Sequence, residues 1–558
     1  MAVTITIEDK ETFSILNSSE INLDLSYNQF SPNPTFVSAF VAQFVCTPSE
    51  DPISFIKAEM EKFGVSKNLE ATLNFDDLTK VDGQLKLGSP ENSFITGQGQ
   101  KTQFNIKFEP YPNTFFDRAE NLSIISFSAT QNDWVNVSYV TERNSVLEDF
   151  ILLVVTTQTL IQAAQAVYNL GDSIKEAIST GFDTASAIIK FAIKTALNLA
   201  YTVAILVALN ELLKQASEIL FDKPKKLYGL DVWKTIKQGC TYLGYEFESS
   251  LEKTFKDLVF VSATTVGGRT TGQPINIPLP NYSFLQFIEN IGALFNAKLK
   301  VLDKKVIFET TTFYTDESNV SDVQLKEMYN NGDVSFNFEE LPEEIAILYA
   351  KVDGDNNYKT NYYKESYALK GDNKLFGTQN KINIDLPFAK AEPKQTQSNA
   401  EKIFNGIFDL LTGLSKGYKT NIGDRLGFWK LEQDIVPVDT IFIRDSDGRV
   451  NDNTLSILAP QSLFNQFYIN ETPLNNQYTI VKNRGKHPIC GENSNELLTN
   501  NVIRDDEGRP IIVTKNLRQS QDGLYDIEYR RKVQEGEFGY VPEDLIITVK
   551  LTNVSSGN

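Results

Sequence analysis

Any imidazole chemistry in this chain must begin at His487, because it is the only histidine. A Ser-His-Asp or Cys-His mechanism needs a nucleophile within hydrogen-bond reach of that ring. The surroundings read Lys486-His487-Pro488-Ile489-Cys490, and the proline makes this a loop or the edge of a strand. No pattern places a nucleophile there, so His487 reads as a surface or loop residue, and His487→Ala is expected to leave biological activity intact. One histidine also excludes HExxH and the other multi-histidine metallopeptidase patterns. Cys46, Cys240 and Cys490 are far apart. An odd, unclustered set of thiols fits neither a disulfide framework nor a zinc site.

The glycine-rich stretches fail as phosphate cradles. Gly97-Gln98-Gly99-Gln100-Lys101-Thr102 lacks the spacing of a phosphate loop and runs into a strand, whereas such a loop needs a helix N-terminus facing the anion. Gly267-Gly268-Arg269-Thr270-Thr271-Gly272 runs toward Pro274 and Pro278, so both stretches read as turns. Asp445-Ser446-Asp447-Gly448-Arg449-Val450-Asn451-Asp452-Asn453 has the flavour of a calcium loop. Its glycine is misplaced for an EF-hand, and Ser456 stands where the bidentate glutamate belongs, so a β-turn is the better reading. Among 72 acidic residues a glycosidase pair stays open, since spacing in sequence says nothing about spacing in space. No catalytic residue, metal ligand or cofactor is assigned, and the chain is expected not to be an enzyme.

The elements that would position such groups can be read more firmly. At 558 residues several domains are expected. A composition of 41% hydrophobic, 11% aromatic and 22% charged residues belongs to a packed protein, and 37 Phe with 22 Tyr against 3 Trp leans toward β cores. The net charge of −19 repels phosphate backbones, so sequence-specific nucleic-acid binding is not expected. The start, Met1-Ala2-Val3-Thr4-Ile5-Thr6-Ile7-Glu8, alternates apolar and polar residues like a strand and has no signal-peptide pattern. Synthesis and folding in a cytoplasm are expected.

The expected fold is α+β, multi-domain and predominantly β, with a central apolar helical insert. Residues 1–145 read as a mostly β domain with a helix at about 51–62, and 146–222 as the insert. Residues 223–315 read as a helix–strand repeat, 316–420 as a β domain with a helix at 397–415, and 421–558 as a C-terminal β domain. Arginine supports the last boundary: three precede Arg425 and nine run from Arg425 to Arg531.

The insert is the oddest segment. Phe150–Leu170 and Thr195–Asn210 carry no charge. Gly171-Asp172 and Gly181-Phe182-Asp183 look like a helix end followed by a helix start, which predicts three helices. The last is apolar nearly all round, so Ile193, Leu197, Leu206, Leu209 and Leu213 are the candidate oligomer or partner interface. Membrane insertion is the rival reading, as 150–170 is about long enough to span a bilayer. Thr156, Thr157, Gln158, Thr159, Gln162, Gln165 and Asn169 are costly in hydrocarbon, so burial in protein is preferred.

Leu230–Phe247 and Tyr282–Leu299 share a plan, with Trp233 matching Leu285, Ile236 matching Ile288 and Leu243 matching Phe295. Each reads as an amphipathic helix, a left-handed turn at Gly244 or Asn296, and a strand. Ser283 and Gln286 have capping-box spacing. A hairpin follows the second helix, with Ala297–Val301, a turn at Asp303-Lys304, and Val306–Glu309.

The helix ending in Leu294-Phe295-Asn296-Ala297-Lys298-Leu299-Lys300-Val301, with the hairpin after it, resembles a segment common in bacteriophage tail-tip and baseplate hub proteins. The resemblance is firmest over about 225–310. It implies barrel-like tube domains in a ring, usually a homotrimer, that closes the tail tube, contacts the tail tube and tape-measure proteins, and opens for DNA ejection. It implies a place in the virion tail and carries over no catalytic residue. The alternatives are a membrane-active ejection or pore protein using 150–221, and a receptor- or glycan-binding tail protein using the Tyr/Asn-rich region after 330.

Overall fold

The computed structural model describes residues 3–15, 23–24, 40–45, 52–64, 67–75, 80–90, 93–96, 102–127, 134–139, 225–263, 282–320, 333–336, 341–350, 362–371, 380–390, 438–446, 450–451, 453–487, 502–505, 507–518 and 525–550. Over these residues the protein is α+β and predominantly β, with its strands in five sheets. The expected helices of 146–222 and at 397–415 lie outside the described residues.

The first sheet holds β1 (Thr4–Ile7), β2 (Glu11–Ser14), β4 (Phe40–Val45), β5 (Asn68–Asn74), β6 (Lys80–Lys86), β7 (Ser93–Thr96) and β8 (Thr102–Pro110), in the order β2-β1-β5-β6-β8-β4 with β7 also on β8. Two-residue alternation sets its inner face: Ile5 and Ile7, Leu69 and Leu73, Val81 and Leu85 are all buried. Helix α1 (Pro52–Phe63) starts on its proline, stops at Gly64 with φ +72°, and lays Ile56 on that core. The outermost strands β2 and β4 approach each other, but no ladder joins them. The barrel implied by the resemblance is therefore not closed among the described residues; the first sheet curls without sealing.

The second sheet has the order β19 (Ala389–Lys390), β20 (Thr440–Ile443), β12 (Leu258–Val261), β10 (Lys225–Asp231), β9 (Trp134–Tyr139). Strands β12 and β20 are buried at every position, as strands covered on both faces must be. The third sheet is β11 (Glu246–Glu248), β14 (Lys305–Thr310), β13 (Ala297–Leu302), and around it lie α3 (Val232–Leu243), α4 (Leu251–Thr254), α5 (Phe284–Phe295) and α6 (Thr311–Thr315). Helix α2 (Tyr111–Asn121) follows β8 directly and packs on α3 and α5.

The fourth sheet runs β15 (Asp333–Phe336), β21 (Tyr478–His487), β24 (Tyr525–Lys532), β23 (Pro510–Arg518), β22 (Val502–Arg504), with β3 (Leu23–Asp24) on β23. The fifth runs β18 (Lys381–Asp385), β16 (Glu344–Leu348), β17 (Tyr362–Leu369), β25 (Ile546–Lys550). Between β20 and β21 come α7 (Asn453–Ile457), α8 (Pro460–Leu463), a π turn at Phe464–Tyr468 and a 3-10 turn at Ile469–Glu471.

These sheets cut across the sequence segments. The second sheet takes strands from 1–145, 223–315, 316–420 and 421–558, and β3 joins a sheet otherwise built from residues after 330. One apolar core runs from Phe115 of α2 through Trp233, Phe284 and Phe308 to Tyr367, Phe464 and Ile546. The first sheet keeps its own core, which Tyr314 of α6 enters from the third-sheet unit.

Candidate assembly surface

The repeat region builds the centre of the molecule. Helix α3 is started by the Asp231 side chain, which accepts from Lys234 N at 2.9 Å, and is stopped by Gly244 at φ 87°. Helix α5 begins with a reciprocal capping box of Ser283 and Gln286 and ends on Asn296 at φ 47°. Only glycine reaches the first of these φ values without strain, and asparagine tolerates the second. Trp233 stacks on Phe295 with centroids 6.2 Å apart and donates its indole N–H to Phe255 O at 2.8 Å. Gly239 lies so close against Phe284 that a β-carbon there would overlap the ring. The two units share a sheet because β11 pairs parallel with β14, and Glu309 fastens them by accepting from Ser250 Oγ at 2.6 Å and from Ser250 N.

The N-terminal sheet is hitched to this centre through α2. Phe115 packs edge-on to Tyr245 at 5.1 Å, Tyr245 OH donates to Tyr111 O at 2.9 Å, and Phe284 N donates to Leu122 O at 2.7 Å. Lys304 in the β13–β14 turn pairs with Glu70 of β5 and lies 5.2 Å over the Tyr111 ring. Beside it, desolvation first, then the neighbouring Asp82 carboxylate of β6, holds the Asp303 carboxyl above the usual range.

One end of the second sheet gathers the roots of long connections. Strand β9 ends there at Tyr139, paired with Lys225 at the start of β10. Strand β12 leaves at the same end, with Val261 opposite Thr440 of β20. Asp439, just before β20, ties the end of β12 to Tyr282: its Oδ1 accepts from Ala263 N at 2.7 Å and Ser262 Oγ at 3.2 Å, and its Oδ2 accepts from Tyr282 OH at 2.6 Å. Burial, then this bond, pushes the Tyr282 phenol far up, so it stays a donor at physiological pH. Connections 140–224 and 264–281 thus both start and finish at this end, and 391–437 returns to it through Asp439. Sequence reasoning misses Asp439 as a binding residue; a carboxylate directly before the four buried residues of β20 is the only signal it leaves.

The residues singled out for chemistry are scattered. His487 closes β21, paired in the ladder with Tyr525 of β24. Cys240 is fully buried on α3, where burial pushes its thiol far up and leaves it unreactive. Cys46, Cys490 and Gly267–Gly272 lie outside the described residues, and Thr102 opens β8. Arg444 and Val450 bridge across the calcium-like stretch, as in a turn. No group of three or more metal-binding side chains occurs among the described residues. Lys300, on β13, has its amine pushed down to about 7 by burial, but it is only 1% exposed.

The predicted interface residues Ile193, Leu197, Leu206, Leu209 and Leu213 lie outside the described residues; the structure places the roots of their segment at Tyr139 and Lys225. No described helix is long and apolar enough to cross a membrane. No family model and no curated protein matches the sequence. Among solved structures, the prophage tail protein gp18 from Listeria monocytogenes EGD-e aligns over 95% of this chain and 95% of its own, at 7% identity and a TM-score of 0.32. At that identity and TM-score the likeness assigns neither activity nor partners.

Proposed function

We propose that this protein is a structural, non-catalytic component of a bacteriophage tail tip or baseplate hub, self-associating as a homotrimeric ring that closes the tail tube and guides DNA ejection. The observation that carries this reading is the architecture of 225–310. The stretch whose sequence resembles hub proteins folds as two linked helix–strand units, and strands from both ends of the chain are organised around it. A core shared by distant parts of one chain suits a load-bearing part. The curl of the first sheet, whose edge strands β2 and β4 approach each other, supports a tube-forming role. The apolar segment holding Ile193, Leu197, Leu206, Leu209 and Leu213 supplies the self-contact, and tape-measure and tail-tube proteins are the other neighbours. The acidic surface keeps passing DNA from sticking.

Immunogold electron microscopy of virions carrying an epitope on this chain tests the placement. Gold at the distal end of the tail is expected. Gold on the capsid, or none on virions whose host lysate contains the protein, would overturn it.

A further inference from the structure

The loop after β24 holds an aromatic ring out in water. Phe538 is 85% exposed, more than any other large apolar side chain among the described residues. Its backbone is fixed on both sides. Gly536 at φ 89° and Gly539 at φ 90° supply left-handed turns that glycine makes without strain. Between them the Glu537 carboxylate accepts from Arg531 Nη1 through both oxygens, at 2.7 and 3.0 Å, and from Gln534 N at 2.9 Å. Just beyond, Val541 N donates to Gln477 Oε1 at 2.9 Å, and Gln477 Nε2 donates to Val541 O at 3.0 Å. An exposed ring on a backbone held this firmly has little freedom to lose when a partner covers it, which is the quality of an anchor residue.

The ring stands at a sheet edge. Phe336 of β15 packs edge-on to Phe538 with centroids 5.3 Å apart. Val334, two residues back and on the same face of the strand, is 58% exposed. Strand β15 ends the fourth sheet: it pairs with β21, and no other described strand pairs with it. Its alternate residues therefore turn N–H and C=O away from β21, toward the position of a further strand. Backbone groups in a row with an apolar ring beside them fit an extended chain that brings an apolar side chain of its own. Charge sets the sign of that chain. Residues 533–545 contain Glu535, Glu537, Glu543 and Asp544 and no lysine or arginine, and all four acids except Glu537 are exposed. Lys532, at the end of β24, is the exposed base beside them. A second copy is a poor occupant, because a chain of net charge −19 repels itself.

We propose that β15 and Phe538 form a docking site for an extended, basic segment of another protein, which joins the fourth sheet as a strand beside β15 and sets an apolar side chain against Phe538. Neither element belongs to the apolar segment proposed for self-contact, so the two readings can fail separately.

The test is fluorescence anisotropy of a labelled peptide of alternating lysine and leucine, titrated with the full-length protein. Binding is expected, and Phe538→Ser is expected to weaken it about tenfold or more. Val334→Lys, which sets a like charge on the open edge, should weaken it as well. Thermal midpoints of both variants are expected to match the parent; if Phe538→Ser does not fold, Val334→Lys gives the same reading. The peptide methylated at every backbone nitrogen has no donor for the sheet, and one of alternating glutamate and leucine has the wrong charge, so neither should bind. Absence of binding by the lysine peptide would overturn the proposal. So would binding that survives Phe538→Ser or methylation, or equal binding of the glutamate peptide. A Phe538→Ser protein of lower oligomeric mass by light scattering would assign the site to a second copy, and flotation with phosphatidylcholine vesicles that depends on Phe538 would assign it to a membrane; either result also overturns the proposal.

Discussion

The two helix–strand units follow one sequence plan and end in different places. In the first, α3 leads into the three-residue β11, whose positions are exposed or half-buried, and Tyr242 near the helix end is 61% exposed. In the second, α5 buries eight of its twelve residues and runs into the β13–β14 hairpin. The caps differ likewise. Gly244 only turns the chain, whereas Asn296 also donates its amide to Phe467 O at 2.9 Å and Glu471 Oε1 at 3.2 Å. A shared pattern sets helix, turn and strand; the chain beyond the strand decides whether a unit becomes edge or centre.

The comparison breaks first at its aromatic contact. Trp233→Ala is expected to cost about 3–5 kcal/mol, by cavity formation and loss of the indole bond to Phe255 O, which keeps Leu258 N as a donor. Leu285→Ala at the matching position is expected to cost about 2–4 kcal/mol. Urea denaturation measures both, and a cost near zero at Trp233 would make the first unit a mere appendage. Gly239→Ala comes next, at about 1–3 kcal/mol, because its methyl group meets Phe284. Phe284→Leu in the same chain should return part of that loss, and a double-mutant cycle showing no coupling would contradict the packing.

The turn positions sharpen the contrast. Asn296→Gly keeps the backbone but loses the side-chain bonds to Phe467, Glu471 and Thr311, for about 1–2 kcal/mol, while Gly244→Asn should stay within about 1 kcal/mol. The smallest effect is at Asp303, where Asp82 lies close. The folded protein holds that carboxyl above its unfolded value, so the folded state binds more protons between the two values and loses stability as pH rises through them. Asp303→Asn is therefore expected to stabilise by about 1 kcal/mol or less at pH 7 and to gain nothing near pH 3. Thermal midpoints across that range read the difference.

Local structure is legible where caps and periodicity agree. Pro52 and Gly64 bracket α1, Ser283 and Gln286 open α5, and β9 carries the apolar–polar alternation of Val135-Asn136-Val137-Ser138-Tyr139. Helix α2 escapes a reading of the sequence because Tyr111-Pro112-Asn113 looks like a turn, although proline in the first helical turn is ordinary. Strand β6 is hidden by Asp82 and Gly83, yet Gly83 is there because β8 passes too close for a β-carbon. Segmentation is the least legible feature. Composition shifts mark stretches of chain, but strand pairing is non-local, so nothing near Leu23 announces that β3 belongs beside β23. The same limit hides the site: Asp439 acquires its meaning only when Ser262 and Tyr282 arrive from far away in sequence.

Self-association is the property on which the proposed role depends, and size-exclusion chromatography with light scattering measures it directly. The full-length protein is expected to elute at three times its chain mass of 62.8 kDa, and Leu206→Asp to abolish that species by burying an unpaired charge. A folded, monodisperse monomer, or a Leu206→Asp protein that assembles like its parent, would contradict the account.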